Sequence, residues 1–212
     1  MDTKKNTFYS AVAGVLGSGK TTASALLSKE LDFHLFEENP ADNVFLPLFY
    51  KEPKRWALPA QLFYLREKAH QLEKIKTLLA RAGVVHDSPI YQDHFTYAKA
   101  QLLLGHMTRD EYALYDKFFS VFSKNIPVPD LIIQLNVSPS VIQRRIYSRA
   151  REYEKEIDIK YIKLISGLQK KWITMHPHLT IATVKTDDLD LAVNRDHQKK
   201  FVAIVKNMIA RL

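Results

Sequence analysis

Gly14-Val15-Leu16-Gly17-Ser18-Gly19-Lys20-Thr21 is the stretch on which the reading of this chain turns. It follows the apolar run Phe8-Tyr9-Ser10-Ala11-Val12-Ala13 and opens a segment of helical period. A strand, a turn of the form G-x-x-x-x-G-K-[ST] and a helix start together make a cradle for phosphate. Backbone N–H groups turn toward one anion there, and the positive end of the helix adds to them. Lys20 has the reach for β- and γ-phosphates, and the Thr21 hydroxyl is placed to coordinate magnesium. Gly14, Gly17, Ser18, Gly19, Lys20, Thr21 and Thr22 form the expected nucleotide-binding set, for a nucleoside triphosphate with Mg2+. ATPases, GTPases and small-molecule kinases share such a loop, so the acceptor side has to decide among them.

Outward from the loop, short apolar runs alternate with helical segments. The runs are Phe33–Phe36, Val84–His86, Leu131–Leu135 and Leu179–Val184, several of them apolar throughout, as strands covered on both faces are. Leu62, Leu65, Ala69, Leu72, Ile75 and Leu79 recur at three- and four-residue steps, one amphipathic stripe that Gly83 would stop. Pro59 is expected to kink that helix. Thr108-Arg109-Asp110-Glu111 has the form of a capping box, and Ser138-Pro139 that of an N-cap with proline in the first turn. Asp158 could cap another helix, and a last one closes the chain from about Arg195 to Leu212. The alternation predicts an α/β fold, a five-stranded parallel sheet flanked by helices and joined by right-handed crossovers. Residues 1–212 read as one domain, with the helical stretches 54–82 and 91–124 packed as a bundle beside the sheet.

Composition narrows the class. With no cysteine, a disulfide scaffold, a thiolate zinc site, an iron–sulfur cluster and a cysteine nucleophile are excluded. Six glycines and nine prolines are too few for collagen-like or low-complexity chains. No apolar run reaches the ~18 residues of a membrane span, and the first residues do not form a signal peptide. A cytoplasmic protein with no membrane partner is expected. The 31 basic and 23 acidic residues leave +8, which suits a polyanion, either nucleic acid or a nucleoside triphosphate. No recognised nucleic-acid module accompanies the charge, so no nucleic-acid partner is expected.

Glu37-Glu38-Asn39-Pro40 follows the second apolar run. Ligands of open parallel sheets bind beyond the carboxyl ends of the strands, so Glu38 stands where a base could meet an attacking hydroxyl. By itself a Glu-Glu pair there is more often solvated surface. Two features shift that balance. Asp87 follows the third run, where a carboxylate would face magnesium. Arg145, Arg149 and Arg151, in Arg144-Arg145-Ile146-Tyr147-Ser148-Arg149-Ala150-Arg151-Glu152-Tyr153-Glu154, can turn toward one anion. With the phosphate loop present they read as a lid, about 144–156, that neutralises a transferring phosphoryl group.

At this point the chain resembles the deoxyribonucleoside kinase family, most closely its bacterial deoxyadenosine/deoxyguanosine kinase branch. The resemblance spans nearly the whole chain. It rests on the phosphate loop, Glu38-Asn39-Pro40 with Asp42-Asn43, and Phe49-Tyr50-Lys51-Glu52-Pro53-Lys54-Arg55-Trp56 with Gln61. It continues through Asp87-Ser88-Pro89-Ile90-Tyr91-Gln92-Asp93, Pro129-Asp130-Leu131-Ile132-Ile133 and the arginine-rich run. The resemblance implies a P-loop kinase fold with an arginine-rich lid, and transfer of the ATP γ-phosphoryl group to the 5′-hydroxyl of a deoxynucleoside. It implies that Glu38 is the general base, that Tyr50 and Glu154 hold the 3′-hydroxyl, and that Gln61 pairs with the base edge. Asp93 then reads an amino-bearing base, Tyr97 stacks on it, Arg145, Arg149 and Arg151 are the lid arginines, and Asp87 sits on the magnesium side. A purine deoxynucleoside is favoured, with deoxycytidine possible. A homodimer, or a heterodimer with a related kinase chain, is also implied.

Four departures from the family pattern stand out. Ser88 replaces an arginine that helps hold the base glutamate, Lys68 stands where relatives often carry arginine, Ala150 replaces a glycine, and Pro59 precedes Gln61. Two alternatives share the loop: a nucleoside monophosphate kinase, which wants an arginine near the acceptor phosphate, and a non-catalytic nucleotide-binding subunit paired with an active kinase.

Overall fold

The computed structural model describes residues 7–149, 151, 154 and 157–212. Five strands, β1 (Tyr9–Ala13), β2 (His34–Phe36), β3 (Val84–Asp87), β4 (Leu131–Asn136) and β5 (Ile181–Lys185), form one parallel sheet in the order β2-β3-β1-β4-β5. The helices are α1 (Lys20–Leu31), α2 (Leu46–Lys51), α3 (Pro53–Leu78), α4 (Ile90–Gln92), α5 (Lys99–Leu103), α6 (Arg109–Phe122), α7 (Pro139–Ser148), α8 (Ile159–Met175) and α9 (Arg195–Ile209). A π-helical segment, Asp93–Ala98, joins α4 to α5. β1 is central, with β3 on one side and β4 on the other. The crevice at its carboxyl end is therefore where ligands of such sheets bind.

The apolar runs became strands because both faces are covered. Every residue of β1 is buried. On one face Val12, Val85 and Ile133 pack with Leu27 of α1 and Phe201 and Val205 of α9. On the other, Ala11, Ala13 and Ile132 meet Trp172 of α8, while Tyr9 and Val84 meet Leu65, Leu72 and Ile75 of α3. Each such aliphatic side chain contributes about 1.5–3 kcal/mol when taken fully from water. The expected helical bundle is present: Leu65 and Leu72 of α3 share a cluster with Tyr115 of α6 and Ala98. The 91–124 stretch is two helical runs, divided where Gly105 takes φ 68°. Thr108 then closes a capping box, accepting from the Glu111 N–H at 3.1 Å while its own N–H donates to Glu111 Oε2 at 2.7 Å. Asp158 caps α8 by accepting from the Lys160 N–H at 2.9 Å.

One local expectation is corrected and two gain detail. Ser138 occupies the N-cap of α7 but its side chain makes no cap bond; its N–H donates instead to Asp187 Oδ1 at 3.0 Å. Gly83 is not a left-handed stop. Its place is set by packing, because a Cβ there would fall 2.4 Å from the Phe33 ring. Pro59 lies inside α3, which runs continuously from Pro53 to Leu78. It sits in the second turn, where one hydrogen bond is lost while Ala57, Ala60, Gln61 and Leu65 remain buried. Among the described residues no helix is long and apolar enough to cross a membrane.

Candidate active site

The phosphate loop closes as its sequence demands. Gly17 and Gly19 take φ 72° and 95°, values that side chains with a Cβ rarely adopt. A Cβ on Gly17 would also meet Ile146 Cγ1 at 2.9 Å, so α7 packs directly on the loop. Lys20 opens α1 with its Nζ 3.5 Å from the Val15 carbonyl. Burial pulls its ammonium below the ordinary lysine range, with Asp87 and Glu38 only partly restoring it. A lysine in that state is short of negative charge, as a triphosphate seat should be.

Gln92, which the sequence reading did not single out, holds the start of the loop. Fully buried, its side-chain amide accepts from the Gly14 N–H at 2.7 Å and donates to the Gly14 carbonyl at 2.9 Å, with Ser88 Oγ accepting a further bond at 3.2 Å. Its signal in the sequence is faint: an amide one turn past β3, beside Asp93.

The carboxylates gather at the carboxyl ends of β2 and β3. Thr21 Oγ1 donates to Asp87 Oδ2 at 2.7 Å, and Asp87 Oδ1 is buried with no hydrogen-bond partner. Burial pushes the Asp87 carboxyl up, against the pull of Lys20 and Lys68. Glu38 pairs with Lys68, Nζ to Oε2, at 2.9 Å. Burial would raise Glu38, but Lys68 and Lys20 outweigh it and hold the carboxyl below its ordinary range. Glu38 thus stays ionised at neutral pH, the form a general base requires. The loop that carries it is shaped by its amides. Asn39 accepts from the Ala41 N–H at 3.2 Å, and Asn43 donates to the Ala60 carbonyl of α3 at 3.1 Å.

One cavity of about 410 Å³ joins these groups, lined by Gly17, Gly19, Lys20, Thr21, Thr22, Glu38, Tyr50, Gln61, Asp87, Asp93, Tyr97, Arg149, Arg151 and Glu154. Nearly every predicted site residue therefore meets in one space. Gln61 Oε1 and Asp93 Oδ2 are both buried without a hydrogen-bond partner, two polar atoms of lining residues that a ligand could satisfy. Burial drives the Asp93 carboxyl up to about 7, with Lys68 opposing and Glu38 reinforcing the rise.

The arginine-rich run divides. Arg149 Nε donates to Glu154 Oε2 at 2.7 Å, and Arg151 lies 3.5 Å from Glu154 Oε1, so Glu154 is engaged by these two cations on the cavity wall. Arg145 is placed differently. It donates to the carbonyls of Ser18 at 3.1 Å, Thr186 at 2.7 Å and Leu189 at 3.1 Å, tying the phosphate loop to the segment after β5. In this arrangement its guanidinium is turned to these three carbonyls and not to Glu154, the partner of Arg149 and Arg151. Ala150, Glu152 and Tyr153 lie outside the described residues. A second cavity, about 640 Å³, opens on the other side of the loop between Gly17, Thr22, Arg144, Arg145, Asp188, Leu191 and His197, and the sequence reading had not located it.

Comparison with known proteins bears on this geometry. The sequence model described as deoxynucleoside kinase matches residues 11–210. The chain is 28% identical over 205 residues to a deoxyguanosine kinase of Bacillus subtilis, covering 95% of this chain and 97% of that one. It is 29% identical over 201 residues to a Bacillus subtilis deoxyadenosine/deoxycytidine kinase, covering 93% and 91%. In fold it is similar to the deoxyadenosine kinase from M. mycoides with bound dATP: TM-score 0.83 at 24% identity, covering 96% of this chain and all of that one. A family match over nearly the whole chain, on an intact phosphate loop with a carboxylate-lined cavity beside it, means that the chain belongs to the deoxynucleoside kinase family and is an ATP-dependent kinase of deoxynucleosides.

Proposed function

We propose that the chain transfers the ATP γ-phosphoryl group to the 5′-hydroxyl of a purine deoxynucleoside, with Glu38 as general base and deoxycytidine as a secondary acceptor. The observation that carries this reading is the single cavity in which Lys20, Glu38, Tyr50, Gln61, Asp93 and Tyr97 face one another. A primary alcohol must lose its proton as it attacks, and a positioned carboxylate contributes about 10²–10⁴-fold to that step. Gln61 offers both a donor and an acceptor to a base edge, and its buried Oε1 has no protein partner. An amino group on the base would satisfy it, and Asp93 Oδ2, from another residue lining the same cavity, offers a second polar partner. The names of the Bacillus subtilis relatives, deoxyguanosine and deoxyadenosine/deoxycytidine kinase, favour the same acceptors.

On the donor side, the second cavity has room for the nucleoside part of ATP, with Arg145 bracing the loop between the two spaces. Thr21 and Asp87 fit a magnesium ion, since Asp87 Oδ1 is a buried oxygen in want of a ligand beside the Thr21 hydroxyl. Held there, such an ion would supply positive charge against the charge that develops on the transferring phosphoryl group. Self-association through α6 fits the dimer that the family resemblance implies, because Leu114, Phe118, Val121 and Phe122 stand exposed on one face of that helix.

The deciding experiment is steady-state phosphorylation with ATP and magnesium on the four deoxynucleosides, their ribose counterparts and thymidine monophosphate. Selective turnover of one or two deoxynucleosides is expected. Turnover of the monophosphate alone would overturn the proposal in favour of a nucleoside monophosphate kinase. Glu38→Gln should lower kcat by at least about 10²-fold with ATP affinity nearly unchanged. Near-parent turnover would remove Glu38 as the base.

A further inference from the structure

Lys68 is a charged side chain at the site to which the roles above give no task. It is 1% exposed and lies in the middle of α3. An ammonium so buried is costly unless its donors and its charge are met. Both are met by the catalytic loops: Glu38 Oε2 at 2.9 Å and the Asp87 carbonyl at 2.8 Å. One helical turn further along α3, Gln71 Nε2 donates to the Glu37 carbonyl at 2.9 Å. The Gln71 Oε1 in turn accepts from His86 Nε2 at 3.0 Å, and His86 Nδ1 then accepts from the Tyr9 hydroxyl at 2.9 Å. Burial keeps the His86 imidazole neutral, and because an amide oxygen cannot donate, its one proton sits on Nε2 and Nδ1 accepts.

One face of α3 therefore grips Glu37 and Glu38 at two adjacent points and anchors both to β3 and β1. Ser88 brings no cation to Glu38, since its side chain is short and accepts from Gln92. We propose that Lys68 is the positioning residue for phosphoryl transfer, aiming the Glu38 carboxylate and locking the end of β2 to the end of β3. The proposal rests on the reading of Glu38 as general base. Among the described residues, the other charges that act on Glu38 are Lys20 from α1, Arg151 from the lid, Asp87 from β3 and Asp93 from the π segment, and none of these makes an ion pair with it. A carboxylate displaced by about 1 Å from its productive position costs about 10²-fold in rate.

The test is a double-mutant cycle. kcat, KM and ATP affinity are measured for the parent, Lys68→Met, Lys68→Arg, Glu38→Gln and the Lys68→Met/Glu38→Gln pair, with deoxyadenosine, deoxyguanosine and deoxycytidine as acceptors. Lys68→Met should lose about 10²-fold in kcat with ATP affinity within about threefold of the parent, and Lys68→Arg should recover at least tenfold of the loss. The pair should turn over no more slowly than Glu38→Gln alone, because a residue that acts through Glu38 has nothing left to position. Near-parent kcat in Lys68→Met, or losses that multiply in the pair, would overturn the positioning role while leaving Glu38 as base. Near-parent turnover in Glu38→Gln alone would overturn both. If Lys68→Met fails to fold, Lys68→Gln keeps a donor for the Asp87 carbonyl, removes the charge and carries the same test.

Discussion

Replacing Gln92 by Leu removes a hydrogen-bonding side chain and leaves its volume nearly unchanged. Gln92 is fully buried and makes two bonds to a single peptide unit, with the N–H and the carbonyl of Gly14. Gly14 is itself buried, so water cannot replace the lost amide. Each buried polar group left unpaired costs about 1–3 kcal/mol, so the substitution, which orphans two, should destabilise the fold by about 2–6 kcal/mol. In a chain of this length each kcal/mol lowers the melting temperature by about 2–4 °C, and a fall of at least about 4 °C is expected. Because Gly14 begins the phosphate loop, ATP affinity should fall with it. Thermal melts with and without ATP, and ATP titration of the variant, read both effects. Gln92→Glu should be nearly as harmful, since a carboxylate would set an acceptor against the Gly14 carbonyl. A Leu variant that melts within about 2 °C of the parent and binds ATP normally would refute the reasoning.

Other outcomes follow from the same geometry. Arg145→Ala should raise the KM for ATP by about tenfold or more, because three carbonyl bonds that brace the phosphate loop are lost, while kcat at saturating ATP stays near the parent value. A fall in kcat at saturating ATP would instead place Arg145 on the transferring group. His94, packed between Phe119 and Tyr115, has its imidazole lowered to about 4 by burial, with Asp116 opposing and Lys99 assisting. The unfolded chain takes up that proton from about pH 6.5 and the folded chain does not, so this part of the stability is whole above about pH 6.5 and drains as pH falls toward 4. His94→Phe should therefore gain on the parent by as much as about 1.4 kcal/mol per pH unit over that window. Denaturation curves at pH 7, 6 and 5 showing a constant difference would sink the assignment.

The order of strand and helix was legible because it is written in local chemistry. The glycines and lysine of the phosphate loop, the apolar runs that became β1, β3 and β4, and the Thr108–Glu111 capping box each act within a few residues of themselves. Tyr97, Gln61 and Asp93 were placed through the family resemblance, and they meet in the acceptor cavity because α3 and the π segment converge on it.

What the sequence could not disclose depends on contacts between distant segments. Gly83 looked like a helix stop and is instead a gap for the Phe33 ring, a constraint set across 50 positions of chain. Arg145 shares a run with Arg149 and Arg151, yet only the packing of α7 against the phosphate loop shows that its guanidinium meets the Ser18 carbonyl while Arg149 meets Glu154. Lys68 read as a weak substitute for an arginine at the base. Its approach to Glu38 across 30 residues, and to Asp87 across 19, exists only once α3 crosses the ends of β2 and β3. Local pattern determined which elements form and which residues could carry chemistry. Tertiary packing decided which charge is paired with which, because the free energy of a buried ion depends on what surrounds it and not on its neighbours in the chain.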